Sequence, residues 1–268
     1  MNLIDVHCHL NHALFKDDLP EVLQRAQAVG IKVIIVSGVN TNANLEVLNL
    51  AEQYPIIKAS LGIYPIDALG LSEGETGLPR QPQPINLEEE FKFIEKNKNN
   101  ILSIGEIGMD FHWASKEATG AKQADNFKKI IRFAKRINKP IVIHSRKAEA
   151  ECIRILGEEI PHKEIQVIMH CFSGKKVLTS QAVALGHYFS IPPNIVKSDQ
   201  FQTLVKIVPL TQLLTETDSP WLSPLKEQRN EPSFVIETIK KIAEIKQLTK
   251  EQVADQIWQN YQKAFLNK

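Results

Sequence analysis

Six residues of metal-ligand type end or follow short apolar runs of this chain. They are His7, His9, Glu106, His144, His170 and Asp218. His7 and His9 are two positions apart in Leu-Ile-Asp-Val-His-Cys-His, and because a strand has a period of two, both imidazoles would leave the same face. Converging imidazoles and carboxylates are typical ligands of divalent ions in hydrolases. The six residues therefore predict a metal-dependent hydrolase.

A single histidine near a strand end is more often a hydrogen-bonded structural residue than a ligand, so the prediction depends on all six together. The four remaining histidines lack this context and are left out of the ligand set; they are His12, His112, His162 and His187. Cys8 and Cys171 each adjoin a proposed ligand. Strand alternation predicts that both thiols point to the opposite face and pack as small buried side chains, with zinc ligation by a thiolate as the minor alternative.

The elements that must position these ligands alternate along the chain. Strand-like runs lie near 2–7, 32–38, 56–61, 101–105, 140–144, 165–170, 187–191 and 211–215. Helix-period segments separate them at 18–29, 41–53, 86–98, 119–137, 147–157, 175–185 and 198–207. Ligands follow strands one, four, five, six and eight. An open doubly wound sheet would bind at one switch point, so a closed (β/α)8 barrel is favoured.

Two further helices are predicted over 231–266, the second opening with a capping box of Thr249 and Gln252. The 268 residues suit one barrel domain over 1–268, since such a barrel takes about 250 residues. A net charge of +1 argues against nucleic-acid binding by bulk charge but permits a local basic patch. Three cysteines and no long apolar stretch indicate a cytoplasmic chain without a membrane segment.

A loop rich in glycine and proline is predicted over 70–86, after the third strand. The glycines and prolines that interrupt regular secondary structure there are Gly70, Gly74, Gly77, Pro79, Pro82 and Pro84. Since loops after barrel strands form the catalytic face, the segment could be a lid or a substrate contact. The alternative, slightly favoured, is a tolerated surface insertion.

The ordered motifs resemble the TatD family of metal-dependent deoxyribonucleases, within the amidohydrolase-type barrels. The resemblance runs nearly end to end and is carried by the segments 5–10, 104–110, 143–146, 169–174, 216–221 and 229–232, which include Asp-Val-His-Cys-His-Leu, Met-His-Cys-Phe-Ser-Gly and Glu-Thr-Asp-Ser-Pro-Trp. It implies a cytoplasmic TIM barrel with two metal ions and nuclease activity on DNA. It also implies that His7, His9, Glu106 and Asp218 hold one ion and that Glu106, His144 and His170 hold the other.

Two segments depart from the family pattern, both on the substrate side. Gly62-Ile63-Tyr64-Pro65 has a tyrosine where the family usually has histidine, and a phenol donates a hydrogen bond but is no cationic acid near neutral pH. Residues 189–194 replace a segment that is commonly small and glycine-containing in the family. The metal chemistry is therefore better specified than the substrate.

The ligand types predict two divalent ions, with zinc, manganese and magnesium all open. Glu106 would bridge the ions and Asp218 would orient the attacking water or accept its proton. The predicted substrate contacts are Arg146, Ser173, Lys175, Asp110 and Tyr64. We expect a monomer that degrades single-stranded DNA from the 3′ side. Hydrolysis of a carboxylic ester or C–N bond, as in a D-aminoacyl-tRNA deacylase, is the alternative, and a non-catalytic barrel is disfavoured because all six ligands are retained.

Overall fold

Eight apolar segments form a single parallel sheet in the order of the sequence. The computed structural model describes residues 1–71, 74, 76–79 and 83–266. The strands are β1 Leu3–Cys8, β2 Ile31–Ser37, β3 Ile57–Leu61, β4 Ile101–Gly108, β5 Ile141–His144, β6 Val167–Met169, β7 Tyr188–Ile191 and β8 Leu213–Thr215. Each pairs in parallel with the next from β1 to β8. Buried Val, Ile and Leu side chains dominate them, as expected of strands that are covered on both faces.

The sheet curls until its last strand meets its first. The Thr215 hydroxyl donates to the Ile4 carbonyl over 2.6 Å. Just beyond β8, the Asp218 amide donates to the His7 carbonyl over 2.9 Å. These bonds bring β8 beside β1 in a nearly closed barrel, and the predicted (β/α)8 fold is confirmed.

Helices cover the outside of the barrel. Their bounds are α1 Leu19–Ala28, α2 Thr41–Gln53, α3 Pro65–Ala68, α4 Leu87–Lys96, α5 Lys116–Arg136, α6 Glu149–Glu159, α7 Lys176–Ala184, α8 Asp199–Ile207, α9 Val235–Lys246 and α10 Lys250–Leu266. The predicted capping box opens α10: the Gln252 amide donates to the Thr249 hydroxyl and the Thr249 amide to Gln252 Oε1. The two additional C-terminal helices are therefore confirmed.

The core between barrel and helices is filled by large apolar side chains. Phe127 on α5 and Phe189 on β7 are fully buried, and replacing either with alanine would cost about 3–5 kcal/mol. Among the described residues, no helix is long and apolar enough to cross a membrane.

The described part of the predicted 70–86 loop is tied to the loops after β1 and β2. His12 Nε2 donates to the Thr76 carbonyl over 2.8 Å, and Asn40 donates to the Pro79 carbonyl over 2.7 Å. Gly77 has a φ of +94°, and a Cβ there would lie 2.0 Å from the His12 ring, so only glycine fits this approach. Residues 72, 73, 75 and 80–82, which include Pro82, lie outside the described residues, and the choice between lid and insertion stays open.

Candidate metal site and substrate cavity

The two histidines of β1 share one face of the strand, and the end of β2 fixes both rings. His9 Nδ1 donates to the Ser37 carbonyl over 3.1 Å, and His7 Nδ1 lies 3.0 Å from the Ser37 hydroxyl. A ring whose Nδ1 carries the proton presents the lone pair of Nε2. Both Nε2 atoms therefore face the barrel axis, only 3.2 Å apart.

Two carboxylate oxygens complete the first candidate metal position. Glu106 Oε2 lies 3.7 and 3.6 Å from the Nε2 atoms of His7 and His9, and Asp218 Oδ1 lies 3.6 Å from each. Ligands at about 2.1 Å from a tetrahedral ion are separated by roughly 3.4 Å. The distances from the two imidazole nitrogens to the two carboxylate oxygens are close to that spacing, so these four residues are candidate ligands of one ion.

A second candidate position lies on the other side of the Glu106 carboxylate. His144 Nδ1 is 2.6 Å from Glu106 Oε1. His170 Nε2 is 3.8 Å from the same oxygen and 3.8 Å from Asp218 Oδ1. Glu106 thus turns one oxygen to each histidine pair, which is the arrangement of a bridging carboxylate.

Buried carboxylates hold the outer nitrogens of the second histidine pair. Asp110 Oδ2 is 2.7 Å from His144 Nε2, and Glu216 Oε2 is 2.7 Å from His170 Nδ1. Glu216 also accepts hydrogen bonds from the Ser190 hydroxyl and the Cys171 amide. Glu216 was not among the residues predicted from the sequence to serve the site. Its position as an acidic residue directly after the apolar run of β8, two residues before Asp218, is the signal that could have identified it.

Asp5 is a second carboxylate that was not predicted to serve the site. It accepts hydrogen bonds from the His7 amide at 3.3 Å and from the Thr217 amide and hydroxyl at 2.9 and 2.5 Å. Complete burial raises the pKa of Asp5 to about 8, against these hydrogen bonds. Asp5 therefore joins the ligand-bearing ends of β1 and β8.

The two histidine pairs differ in charge. Burial holds the pKa of His7 well below its ordinary value and lowers the pKa of His9 to about 4, so both rings are neutral ligands near neutral pH. For His144 burial acts in the same direction, but the Glu106 and Asp110 carboxylates outweigh it and raise the pKa. The Glu216 and Asp218 carboxylates likewise outweigh burial at His170 and raise its pKa. Protons on this second pair must leave before the nitrogens bind a cation.

Glu106 remains ionised among these rings. Burial favours its neutral form, but the charges and hydrogen bond of the second histidine pair hold the pKa of Glu106 well below its ordinary range. An ionised carboxylate whose two oxygens point toward different histidine pairs is what a bridging ligand requires.

A cavity of about 360 Å³ opens directly onto the candidate metal positions. Its lining includes Glu106, His144, His170 and Asp218, with Phe201, Trp221 and Leu222 as apolar walls. Larger grooves of about 770 and 910 Å³ lie elsewhere on the molecule, but neither is lined by any of the six ligand candidates. The smaller cavity is therefore the candidate active site.

Three of the predicted substrate contacts line this cavity. Arg146 is exposed, with its guanidinium 5.6 Å from the centre of the Trp113 ring. Ser173 donates to Glu149 over 2.7 Å. The Tyr64 hydroxyl donates to Asp110 Oδ2 over 3.0 Å, and its side chain forms a wall. Lys175 is exposed at the N-cap of α7, outside the cavity lining.

Asp110 is completely buried, and its oxygens accept from Tyr64 and from the His112 and Trp113 amides and hold His144; its predicted substrate contact stays a prediction. One sequence prediction is corrected. Cys171 lines the cavity, with Sγ 4.0 Å from Asp218 Oδ2. The prediction that the Cys171 side chain points away from the site was wrong, because β6 ends at Met169 and alternation no longer applies to Cys171, whose φ is +42°. Cys8 is buried and donates to the Ile35 carbonyl, as alternation predicted.

Comparison with known proteins places this site in a family. A sequence profile described as TatD related DNase matches residues 4–266. The chain belongs to this TatD-related DNase family. It is 34% identical over 273 residues to deoxyribonuclease TATDN3 of Homo sapiens, covering 99% of this chain and 95% of that protein. It is 32% identical over 267 residues to the metal-dependent hydrolase YabD of Bacillus subtilis, covering 98% of each.

The fold of this TatD-family chain also matches a solved relative. The crystal structure of the TatD homolog YJJV from Escherichia coli superposes with a TM-score of 0.85 at 24% sequence identity, over 98% of both chains. That likeness concerns the barrel architecture.

Proposed function

We propose that this member of the TatD-related DNase family is a two-metal exonuclease that removes nucleotides from the 3′ ends of single-stranded DNA. Membership of this family already makes the protein a metal-dependent hydrolase that acts on phosphodiester bonds. The proposal of two ions is supported by the orientation of Glu106, whose Oε2 faces His7 and His9 while its Oε1 faces His144.

The donor atoms favour some metals over others. The first position offers two imidazole nitrogens and two carboxylate oxygens, a set that suits zinc or manganese. Magnesium prefers an octahedral shell of oxygens and is less suited to two imidazoles. We infer zinc or manganese at the first position, with magnesium open only at the second.

Bound ions would polarise the phosphoryl oxygens and stabilise the leaving oxygen of an in-line displacement. Asp218 is the residue placed to handle the proton of the attacking water. Its Oδ1 lies 3.6 Å from His7 Nε2 and 3.8 Å from His170 Nε2, at the cavity surface. Its φ of +53° is uncommon for a residue other than glycine, and such conformations cluster at functional sites.

The cavity size supports attack on a strand end. A volume of about 360 Å³ is at the lower end of the range of about 300–1,000 Å³ typical of small-molecule sites. Such a space admits a single unpaired nucleotide and is far too small to enclose a duplex. Phe201 and Trp221 offer aromatic faces on which a base could stack, while Arg146 meets the phosphate. One chain supplies all six ligand candidates, so a monomer would suffice.

The test is a time course on 5′-labelled single strands, blunt duplexes and closed circles, each with zinc, manganese or magnesium. Stepwise shortening of the single strand, with slower loss of the duplex, is expected. Asp218→Asn serves as the control for contaminating nucleases. Equal cleavage of circles would indicate an endonuclease instead. Failure to cleave any nucleic acid, with turnover of an aminoacyl-tRNA or a simple ester, would overturn the proposal in favour of ester or amide hydrolysis.

A further inference from the structure

The cavity is bordered on one side by three consecutive loops that each carry an exposed lysine. Lys147 follows β5, Lys176 begins α7 after β6, and Lys197 follows β7. We call these three lysines the basic rim. Strands β5, β6 and β7 are neighbours in the sheet, so the three loops succeed one another around the barrel.

Hydrogen bonds tie these loops together beside the cavity. Ser173, which lines the cavity, donates its hydroxyl to Glu149 in the first turn of α6. The Ser173 carbonyl accepts from the Gln200 side chain in the first turn of α8. Lys147 and Lys197 lie two and three residues before these contacts, and Lys176 three residues after Ser173. The basic rim therefore surrounds a fixed junction.

Within the described residues, none of the three lysines of the basic rim forms an ion pair. Three carboxylates lie nearby: Glu149, which is engaged by Ser173, Glu151, which pairs with Lys116, and Asp199 in the first turn of α8. None of them pairs with a lysine of the basic rim, so the three ammonium groups are available to a polyanion on this side of the opening.

Lys147 has an additional feature. Its φ of +58° lies in the left-handed region, where residues other than glycine are uncommon. The turn is held by the Ala148 amide, which donates to the Ser145 carbonyl over 2.9 Å. Arg146 and Lys147 are both exposed in this turn, so the chain presents two adjacent cations from the cavity outward.

The opposite side of the opening is different in character. There the segment 76–79 is docked against His12 and Asn40, and the neighbouring groove is lined by Asp17 and Glu46 as well as Lys16.

We propose that the basic rim carries the phosphates of a single DNA strand beyond the nucleotide held in the cavity. This inference rests on the proposed nuclease function and adds a path for the uncleaved part of the substrate. Lysine contacts to phosphates carry no sequence information, so the path accepts any sequence. Affinity should rise with strand length until the strand spans all three lysines, and should fall with salt through counterion release.

The experiment compares two triple variants on short and long substrates. Lys147→Gln with Lys176→Gln and Lys197→Gln removes the basic rim. Lys32→Gln with Lys58→Gln and Lys98→Gln is the matched control, because these exposed lysines lie at or before the amino ends of β2, β3 and β4, at the other end of the barrel. The substrates are dithymidylate and an oligothymidylate of about 12 nucleotides, within the span of known single-strand sites.

Loss of the rim should raise KM for the long strand roughly tenfold and leave dithymidylate turnover unchanged. Removing three phosphate contacts from a single strand should reduce the slope of log affinity against log salt by about 2, from roughly 0.7 per contact. The control triple should match the wild-type protein. Equal effects of the two triples on the long strand, or an equal loss on dithymidylate, would overturn the inference while leaving the nuclease function intact.

Fluorescence anisotropy of labelled oligothymidylate separates this inference from the proposed function. If the wild-type protein cleaves no nucleic acid yet binds the oligomer, and only the rim variant loses that binding, the rim proposal stands and the nuclease proposal fails. If the wild-type protein binds no oligomer with any of the three metals, the rim proposal is refuted.

Discussion

Replacing Glu216 by glutamine should weaken the second metal position selectively. Glu216 is fully buried and accepts three hydrogen bonds, from His170 Nδ1, the Ser190 hydroxyl and the Cys171 amide. A glutamine has one acceptor oxygen and one donor group. In one orientation its NH2 group opposes the Cys171 amide, and two buried donors then lack acceptors.

The other orientation harms the metal position directly. The NH2 group would then face His170 Nδ1 and force that nitrogen to accept. The proton moves to Nε2, the atom that lies 3.8 Å from Glu106 Oε1 and Asp218 Oδ1. A protonated Nε2 cannot bind an ion. Loss of a carboxylate behind a ligand histidine typically costs about 10–100-fold in metal affinity, or about 1.4–2.7 kcal/mol.

Chelator competition, with metal content measured after dialysis, provides the assay. We expect Glu216→Gln to keep one tightly bound ion and to bind the other at least about tenfold more weakly. Ser37→Ala is the reciprocal control: it removes the hydroxyl beside His7 Nδ1 and should weaken the first position instead. Equal weakening of both positions in Glu216→Gln, or wild-type affinity at both, would refute the division of ligands between two ions.

Three further results are expected. Asp218→Asn should lower kcat by at least about 100-fold in single-turnover assays while binding of single strands changes little; near-normal turnover at saturating metal would give Asp218 a structural role. Arg146→Ala should weaken binding of all single strands and reduce the salt slope by about 0.7, and a sequence-dependent loss would count against a phosphate contact. Burial lowers the pKa of His187 to about 4 from 6.5, so below pH 6.5 the unfolded chain takes up a proton that the folded chain refuses. Stability should be complete above pH 6.5 and fall by about 3 kcal/mol toward pH 4; urea unfolding of His187→Leu should lack this term, and parallel acid profiles would contradict it.

The barrel could be predicted because its signals are local. Each strand is a short apolar run, each ligand comes at a run's end, and βα units bring those ends to the same face. His7 and His9 could be paired from strand period alone. Convergence of Glu106, His144 and His170 required only that the strands form a ring, which the spacing already favoured.

The groups behind the ligands could not be predicted in the same way. Ser37 binds the rings of His7 and His9 because β2 lies beside β1 in a particular register, and no sequence period encodes that contact. Tyr64, a predicted substrate contact, lines the cavity, and its hydroxyl also donates to buried Asp110, a bond that no local sequence pattern indicates. Cys171 was misplaced because the strand ended two residues before it. Such features depend on side-chain packing between segments distant in sequence.

The junction of the first and last strands has a consequence for biosynthesis. His7 and Asp218 lie at the two ends of the barrel sequence and meet only when β8 docks on β1, through bonds such as that between Ile4 and Thr215, which are 211 positions apart. A nascent chain that has emerged from the ribosome only as far as β7 therefore holds both histidine pairs and Glu106 but lacks Asp218, the last ligand candidate of the first position. Hydrolytic competence is acquired late in translation, after nearly the whole polypeptide is available to fold.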